Sequence, residues 1–361
     1  LLVTVEQRQG QDDDVPFALD LDLDVTVGRK TERWSRVVDR RKQTLAFPVR
    51  GRPKMVVVDA RLRILGAVEI KAPADMLRHQ LLRGETGYVQ AQAADALSRR
   101  DDPATLKALG RTVMDDDRFW GARATAAASL GKIRSEAAFK LLVRASTVEH
   151  PKVRRAVASA LGKFKTEAAA EHLGAMARDD ESLLVCAAAS RALGATRQDV
   201  RELLEELVER ESWADTLRAG AIGGLAALRD EKAVEAVRKS TAYGVPNRGR
   251  RAAISALPRL SSSRKVREHL EGLLDDPDPH VRTTVVVALS QLSDTRARGA
   301  LSRQLERELD GRVRRRIREV LRDLTGKGRR EIKRLQEDLE EMAREHGDLK
   351  ARLAKLEAKK I

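Results

Sequence analysis

The stretch Pro-His-Val-Arg-Thr-Thr-Val-Val-Val-Ala-Leu, residues 279–289, decides the fold because the chain repeats its pattern. A leucine in the register of Leu289 returns at Leu97, Leu130, Leu161, Leu193, Leu225, Leu257 and Leu321, at steps of 31 to 33 residues. Seven residues before each leucine stands Gln90, Arg123, Arg154, Cys186, Arg218, Arg250, Arg282 or Arg314, so six of the eight positions are arginine. A period in the low thirties held over eight copies marks a stacked-repeat architecture. One such unit cannot bury its apolar face alone, and neighbours must stack to make a continuous core.

Each anchor leucine ends an Ala-rich helical run, such as Arg123 to Leu130. Alanine is the best helix former and lets helices approach closely. Gly131, Gly162 and Gly194 follow their leucines, where a helix end accepts positive φ. Twelve residues after the anchor come Leu109, Leu142, Leu173, Val237 and Leu301; Glu205 and His269 break this second column, with Leu204 and Leu270 one residue to either side. Each repeat therefore reads as two helices joined by short turns, about eight pairs in all. The turns Asp115-Asp116-Asp117, Asp179-Asp180 and Asp275 to Asp278 are expected to supply N-caps.

The Asp-Pro-x-Val-Arg turn, the Ala-rich second helix and the Leu-Gly ending resemble HEAT repeats, in the short form shared with phycobilin-lyase-like proteins. The resemblance spans roughly residues 75–325 and implies an α-solenoid; such folds serve many functions. In similar repeats the arginine bonds to neighbouring turns and ties repeats together. That structural role is the expectation for Arg123, Arg154, Arg218, Arg250, Arg282 and Arg314, with a ligand-binding arginine ladder as the alternative.

Residues 1–70 follow another period. Phe17, Leu19, Leu21, Leu23, Val25 and Val27 alternate with Asp20, Asp22, Asp24 and Thr26, the pattern of a strand with one buried and one wet face. Similar runs at Val3–Val5, Thr44–Val49, Met55–Val58 and Leu62–Val68, with turns at Gly28, Gly51-Arg52-Pro53 and Asp59, predict a small antiparallel β-sandwich. The three aspartates would share the solvent face, but the glycine and distal glutamate of a calcium loop are missing.

The order Val3-Thr4-Val5-Glu6-Gln7-Arg8-Gln9, Phe17–Val27, Val37-Val38-Asp39-Arg40, then Arg52 to Asp59 and Ile64-Leu65 resembles the β-sandwich domain of aminopeptidase N-type zinc metallopeptidases. In that family the sandwich follows the catalytic domain and precedes a helical one. The family's zinc motif, His-Glu-x-x-His, is absent: the six histidines, His79, His150, His172, His269, His280 and His346, include no pair four apart and none followed by Glu. The Gly-x-Met-Glu-Asn motif is also absent. No catalytic or metal-ligating residue and no cofactor is therefore assigned to this chain; the resemblance implies zinc only in a separate catalytic domain. The opening Leu1-Leu2-Val3 reads as mid-strand, so a longer polypeptide is expected.

After residue 325 the period changes once more. Ile332, Leu335, Leu339, Met342, His346, Leu349, Leu353 and Leu356 make a heptad seam, and a coiled-coil-like helix is expected over 326–361. Pairing of two chains through 332–356 as a weak homodimer, and docking onto the final repeat, both remain open. Net charge is +15 and aromatics make up 3% of the chain, which suits an Ala/Leu/Val solenoid. No apolar run is long enough to span a membrane. One cysteine, Cys186, excludes an internal disulfide; with no leader pattern, the compartment stays open and the cytoplasm is the favoured reading. Arg312, Arg315, Arg316 and Arg318 form a basic cluster that could meet an anionic partner, but base-stacking aromatics are missing there, which argues against nucleic acid.

Two functions fit. One is a non-catalytic accessory region of a zinc aminopeptidase, shaping the cavity for a peptide substrate and contacting its own catalytic domain. The other is a free-standing scaffold that binds another protein.

Overall fold

The computed structural model describes residues 1–8 and 15–324. The heptad seam and its pairing through 332–356 lie outside the described residues. The chain divides into two compact units, Leu1–Leu228 and Arg229–Ile361.

The first unit opens with five strands: β1 (Leu2–Glu6), β2 (Leu19–Val27), β3 (Lys30–Val38), β4 (Lys42–Ala46) and β5 (Met55–Val58). β1 pairs with β4, and β3, β2 and β5 form a second sheet in that order, all antiparallel. The period of two in β2 works as expected on its apolar side: Leu21, Leu23 and Val25 are buried and join Val38, Leu45 and Phe47 as the core.

β3 carries no clear period of two, because most of its residues are polar or charged and only Trp34 and Val38 pack inward. Leu62–Val68 is irregular rather than a strand. Asp59 is buried with φ of 48°, and its carboxylate accepts the Arg63 and Ile64 amides at 2.8 and 2.9 Å. Those local bonds compete with a sheet ladder and hold a turn.

Sixteen α-helices follow among the described residues, in eight pairs. The first unit holds α1 (Ala74–Arg83), α2 (Gly87–Ala96), α3 (Pro103–Met114), α4 (Trp120–Ile133), α5 (Glu136–Arg144), α6 (Pro151–Leu161), α7 (Glu167–Asp179), α8 (Leu183–Ala195), α9 (Arg201–Glu209) and α10 (Thr216–Leu228). The second helices of successive repeats stack directly, α2 on α4, α4 on α6, α6 on α8 and α8 on α10. The sandwich joins this stack where Met55 and Val57 pack on Val89 of α2.

The second unit holds α11 (Val234–Lys239), α12 (Asn247–Leu260), α13 (Arg264–Gly272), α14 (Pro279–Leu292), α15 (Arg298–Arg307) and α16 (Gly311–Asp323). Here α12 packs on α14, and α14 on α16.

The anchor leucines from Leu97 to Leu289 are fully buried; Leu321, in the last described helix, is half-buried. In the second column Leu109, Leu142, Leu173, Val237 and Leu301 are fully buried, and Leu204 and Leu270 take the core in place of Glu205 and His269. Burying such a side chain contributes about 1.5–3 kcal/mol.

The glycines and caps differ from expectation. Gly131 and Gly194 lie inside their helices, and Gly162 keeps φ of −61°. Their value is close approach: a methyl on Gly131 or Gly162 would press on Ala160 or Ala192 of the next repeat, and one on Gly194 would strike the Gly224 carbonyl. The left-handed turn residue is instead Arg134, Arg197 or Ser293. Of the aspartate turns only Asp278 caps a helix, accepting the His280 amide. Phe119 and Ser182 hold the cap positions of α4 and α8 without a side-chain bond, and Asp115, Asp116 and Asp180 nearby pair with arginines.

Candidate functional site

The arginine column occupies one place in every repeat, the first two turns of the second helix. From there a side chain reaches back over the C-terminus of the first helix, whose last carbonyls have no partner within the helix. Nε of Arg123 donates to the Val113 carbonyl at 2.9 Å and Nε of Arg218 to Val208 at 2.9 Å. In the turn just after the first helix, Nε of Arg250 donates to the Thr241 carbonyl, and Nη1 of Arg154 and of Arg282 donate to the Val148 and Asp276 carbonyls. The non-arginine members do likewise: Gln90 donates to the Gly84 carbonyl at 2.8 Å, and Cys186 points its thiol at Asp180 O, 3.1 Å away.

What remains of each guanidinium goes to a carboxylate. Arg154 binds Asp180 at two points, 2.7 and 2.9 Å, and Arg282 binds Glu308 at 2.8 and 2.7 Å. Arg250 takes Asp276. These three pairs link one repeat to the next, each across 26 residues of sequence. Arg218 instead holds Asp215 in its own turn, and Arg123 Nη2 lies 2.6 Å from Asp116 as a charge contact without hydrogen-bond alignment. Arg314 is exposed and makes no ion pair among the described residues. Bonding to Arg282, the backbone amide of Asp310 and Gln304 hold the Glu308 carboxyl down at about 2. Burial, with Asp180 nearby, pushes the Cys186 thiol up.

The basic cluster lies on α16. Arg315 and Arg316 share Glu319, each at 3.0 Å, which lowers that carboxyl below its usual range. Arg312 reaches Asp310 only at 3.7 Å, and Arg318 is exposed with no ion pair among the described residues. Arg315, Arg318, Glu319, Leu321 and Arg322 line an open groove of about 590 Å³.

In the sandwich the three aspartates do not share a wet face. Asp22 is buried and meets Arg61 and Arg63 at 3.1 and 3.2 Å, and Asp24 is held at two points by Arg33. These arginines neutralise carboxylates that the alternation alone had placed in solvent. Among the described residues no cluster of His, Cys, Asp and Glu is arranged to hold a metal, and no helix is long and apolar enough to cross a membrane.

One feature escaped the sequence reading. Among the described residues of the repeat region, the exposed large apolar side chains are Phe119, Leu184, Trp213, Tyr243 and Leu309. All five lie in the turn leading into the second helix of a repeat, or in that helix's first turn. The signal was present: the aromatics Phe119, Trp120, Trp213 and Tyr243 fall at or shortly before the start of Ala-rich helices. Trp213 is 77% exposed, and the two residues after it, Ala214 and Asp215, have φ of 50° and 54°. Left-handed non-glycine residues cost about 1–3 kcal/mol each and persist only where the surroundings enforce them.

Residues 74–149, 113–194 and 245–322 match the family model for HEAT repeats. No curated protein matches the chain. Among solved structures, Legionella pneumophila aminopeptidase A in complex with aspartic acid aligns over 89% of this chain and 47% of that chain, at 11% identity and a TM-score of 0.53. The chain thus spans about half the length of that aminopeptidase. The complex of CpcE and CpcF of phycocyanin lyase from Nostoc sp. PCC7120 aligns over 73% of this chain and 98% of that one, at 18% identity and a TM-score of 0.37. Human deoxyhypusine hydroxylase in complex with glycerol aligns over 70% and 95%, at 19% identity and a TM-score of 0.33. Identities this low speak to fold alone. The family model, however, matches more than half of the residues, in the stretches where the leucine and arginine columns recur, and the chain belongs to the HEAT-repeat family.

Proposed function

We propose that the chain is the non-catalytic accessory region of an aminopeptidase N-type zinc metallopeptidase, a β-sandwich spacer followed by a repeat scaffold that helps to shape the substrate cavity. The observation that carries this reading is the aminopeptidase likeness, which extends over 89% of the chain and so takes in both the sandwich and the repeats. In this reading the zinc and the chemistry belong to another domain of the same enzyme, since this sequence carries no His-Glu-x-x-His motif. The arginine column serves the fold in this reading, because its donors are directed to helix-end carbonyls and carboxylates.

The test is immunoprecipitation from the source cells with an antibody raised against this chain. Chelator-sensitive hydrolysis of amino-acid amides is expected in the precipitate, and none from the purified 361-residue chain. An abundant precipitate without that activity, or turnover by the chain alone, overturns the reading. The second reading is a free-standing protein-binding scaffold, favoured by the family match to the repeats themselves. It predicts a precipitate that holds a partner protein and no peptidase.

A further inference from the structure

We propose that one edge of the first unit, formed by the turns entering α4, α6, α8 and α10, docks a peptide segment that carries basic and apolar side chains together. The proposal stands apart from the peptidase reading and holds for either proposed function.

The first observation is placement. Phe119, Leu184 and Trp213 are exposed where the chain enters the second helix of three repeats, and Trp120 accompanies Phe119 at a ring separation of 5.3 Å. Turns at the opposite edge, after α4, α6 and α8, are equally surface segments, yet no exposed large apolar side chain lies in them. Because the second helices stack directly, the turns that carry these apolar groups succeed one another along one edge, and only the turn entering α6 lacks an exposed large apolar side chain. Contiguous exposed apolar surface marks an interaction site more often than single exposed residues do.

The second observation is charge. Residues 114–121, 145–152, 177–184 and 209–216 hold ten Asp/Glu against four Lys/Arg, in a chain whose net charge is +15. Asp117, Glu149, Asp179, Glu181 and Glu211 are exposed and make no ion pair among the described residues. The opposite edge is basic, with Lys132, Arg134, Lys163, Lys165 and Arg197. Burial together with Lys132 and Arg134 pushes the Lys163 ammonium below its usual value. An acidic, aromatic edge on a basic protein complements a basic, apolar ligand.

The third observation is that the fold holds these groups outward. Asp215 is buried and accepts Arg218 Nη1 on both oxygens at 2.8 Å, and the Leu217 amide bonds to Ser212 Oγ at 2.9 Å. The left-handed Ala214–Asp215 step between them directs Trp213 into solvent. Phe119 is seated on the backbones of Gly87 and Gly121, where a methyl at either glycine would collide with its ring. Trp120 already receives a cation on its face, Lys152 Nζ 4.3 Å from the ring centroid, the contact a ligand lysine would make at Trp213.

The spacing sets the ligand. Packed helices lie roughly 8–10 Å apart, and an extended chain advances about 3.3 Å per residue. A bound segment therefore meets a new turn about every third residue and crosses the four turns in roughly ten.

The experiment uses the full chain carrying Trp34→Phe, which leaves Trp120 and Trp213 as the only tryptophans. The probe is a peptide of about 12 residues repeating Lys-Leu-Ser, with Glu-Leu-Ser and Lys-Gly-Ser repeats as comparisons. Binding of the Lys-Leu-Ser peptide, seen as a shift in tryptophan emission, is expected to weaken about tenfold when salt rises from about 50 to about 500 mM. Both comparison peptides should bind at least about tenfold more weakly. Phe119→Ser and, separately, Asp179→Asn with Glu181→Gln should each weaken binding by a similar factor without changing the circular dichroism spectrum, whereas Lys132→Gln should not. Equal binding of the acidic peptide, no binding of Lys-Leu-Ser, or binding indifferent to both edge variants overturns the proposal. So does self-association of the chain abolished by those variants in the absence of any bound peptide, which would assign the edge to a second copy.

Discussion

Arg282 and Glu308, 26 residues apart, form a two-point ion pair that joins the repeat of α14 to that of α15 and α16, with N–O distances of 2.8 and 2.7 Å. The same offset recurs in Arg154–Asp180 and Arg250–Asp276. Glu308 also accepts from Gln304 at 3.0 Å and from the Asp310 amide at 2.9 Å, so a single buried carboxylate gathers three elements. Removing one partner of such a pair leaves the other charge unpaired, which costs more than the net value of the pair.

This sets a pH dependence. The Glu308 carboxyl is held at about 2 against an ordinary 4.5, so its folded-state pKa is depressed. The stabilisation is complete above the unfolded value and is lost as pH falls from about 5 through about 2, on the order of 3 kcal/mol in all. Glu308→Gln should lower the thermal midpoint at neutral pH and flatten its acid dependence over that window. An equally steep acid limb in the variant, by calorimetry at several pH values, would count against the assignment.

Cys186 stands in the arginine column with its thiol bonded to the Asp180 carbonyl, which sits beside a carboxylate that Arg154 already occupies. Burial and that carboxylate both disfavour the thiolate, the reactive form. Alkylation by iodoacetamide at neutral pH is expected to be far slower than for a free thiol, and to accelerate in urea along the unfolding curve. Rapid labelling of the native chain would refute the buried geometry.

The repeat was legible because packing writes itself periodically. Every second helix must present the same buried leucine to its neighbours, so the anchor survives as a column from Leu97 to Leu321. The arginine column was legible for the same reason, but the target of each guanidinium was not. Arg154, Arg250 and Arg282 reach forward 26 residues, whereas Arg218 turns to Asp215 beside it, and only the local turn decides which carboxylate is near. Asp22 misled because alternation assigns a face and says nothing of Arg61 and Arg63 arriving from a distant loop. The exposed aromatic edge was passed over because aromatics in a sequence are first read as core; Trp213 is in solvent because of a backbone conformation that no residue pattern there announces.

Leu204 and Glu205 test the register directly. The 12-residue spacing points to Glu205, but Leu204 is the fully buried side chain, while Glu205 is half-buried and bonded to Arg201 at 3.0 Å. Leu204→Ala is expected to cost about 2–5 kcal/mol through the cavity it leaves. Glu205→Ala removes one surface ion pair and should stay within about 1 kcal/mol. Urea denaturation of the two variants, compared at constant m, checks the order; a larger loss for Glu205→Ala would place the wrong residue in the core.

Gly194 supplies the sharpest test of how the second helices touch. It lies within α8, and α8 and α10 meet there backbone to backbone. A methyl group at Gly194 would overlap the carbonyl of Gly224, and one at Gly224 would overlap the Ser190 carbonyl and crowd Leu204. Neither obstacle is a flexible side chain that could swing aside, so the helices must separate. In a solvent-exposed helix, glycine to alanine stabilises by up to about 1 kcal/mol through propensity. Here the sign should reverse: separating packed helices forfeits contacts along both, and Gly194→Ala is expected to cost about 1–3 kcal/mol or more, as overpacking does. Gly272, with open space around its Cβ position near the end of α13, is the matched control. Gly272→Ala should be neutral or slightly stabilising by the same urea measurement. If both variants shift the midpoint alike, the close contact between α8 and α10 is absent in solution.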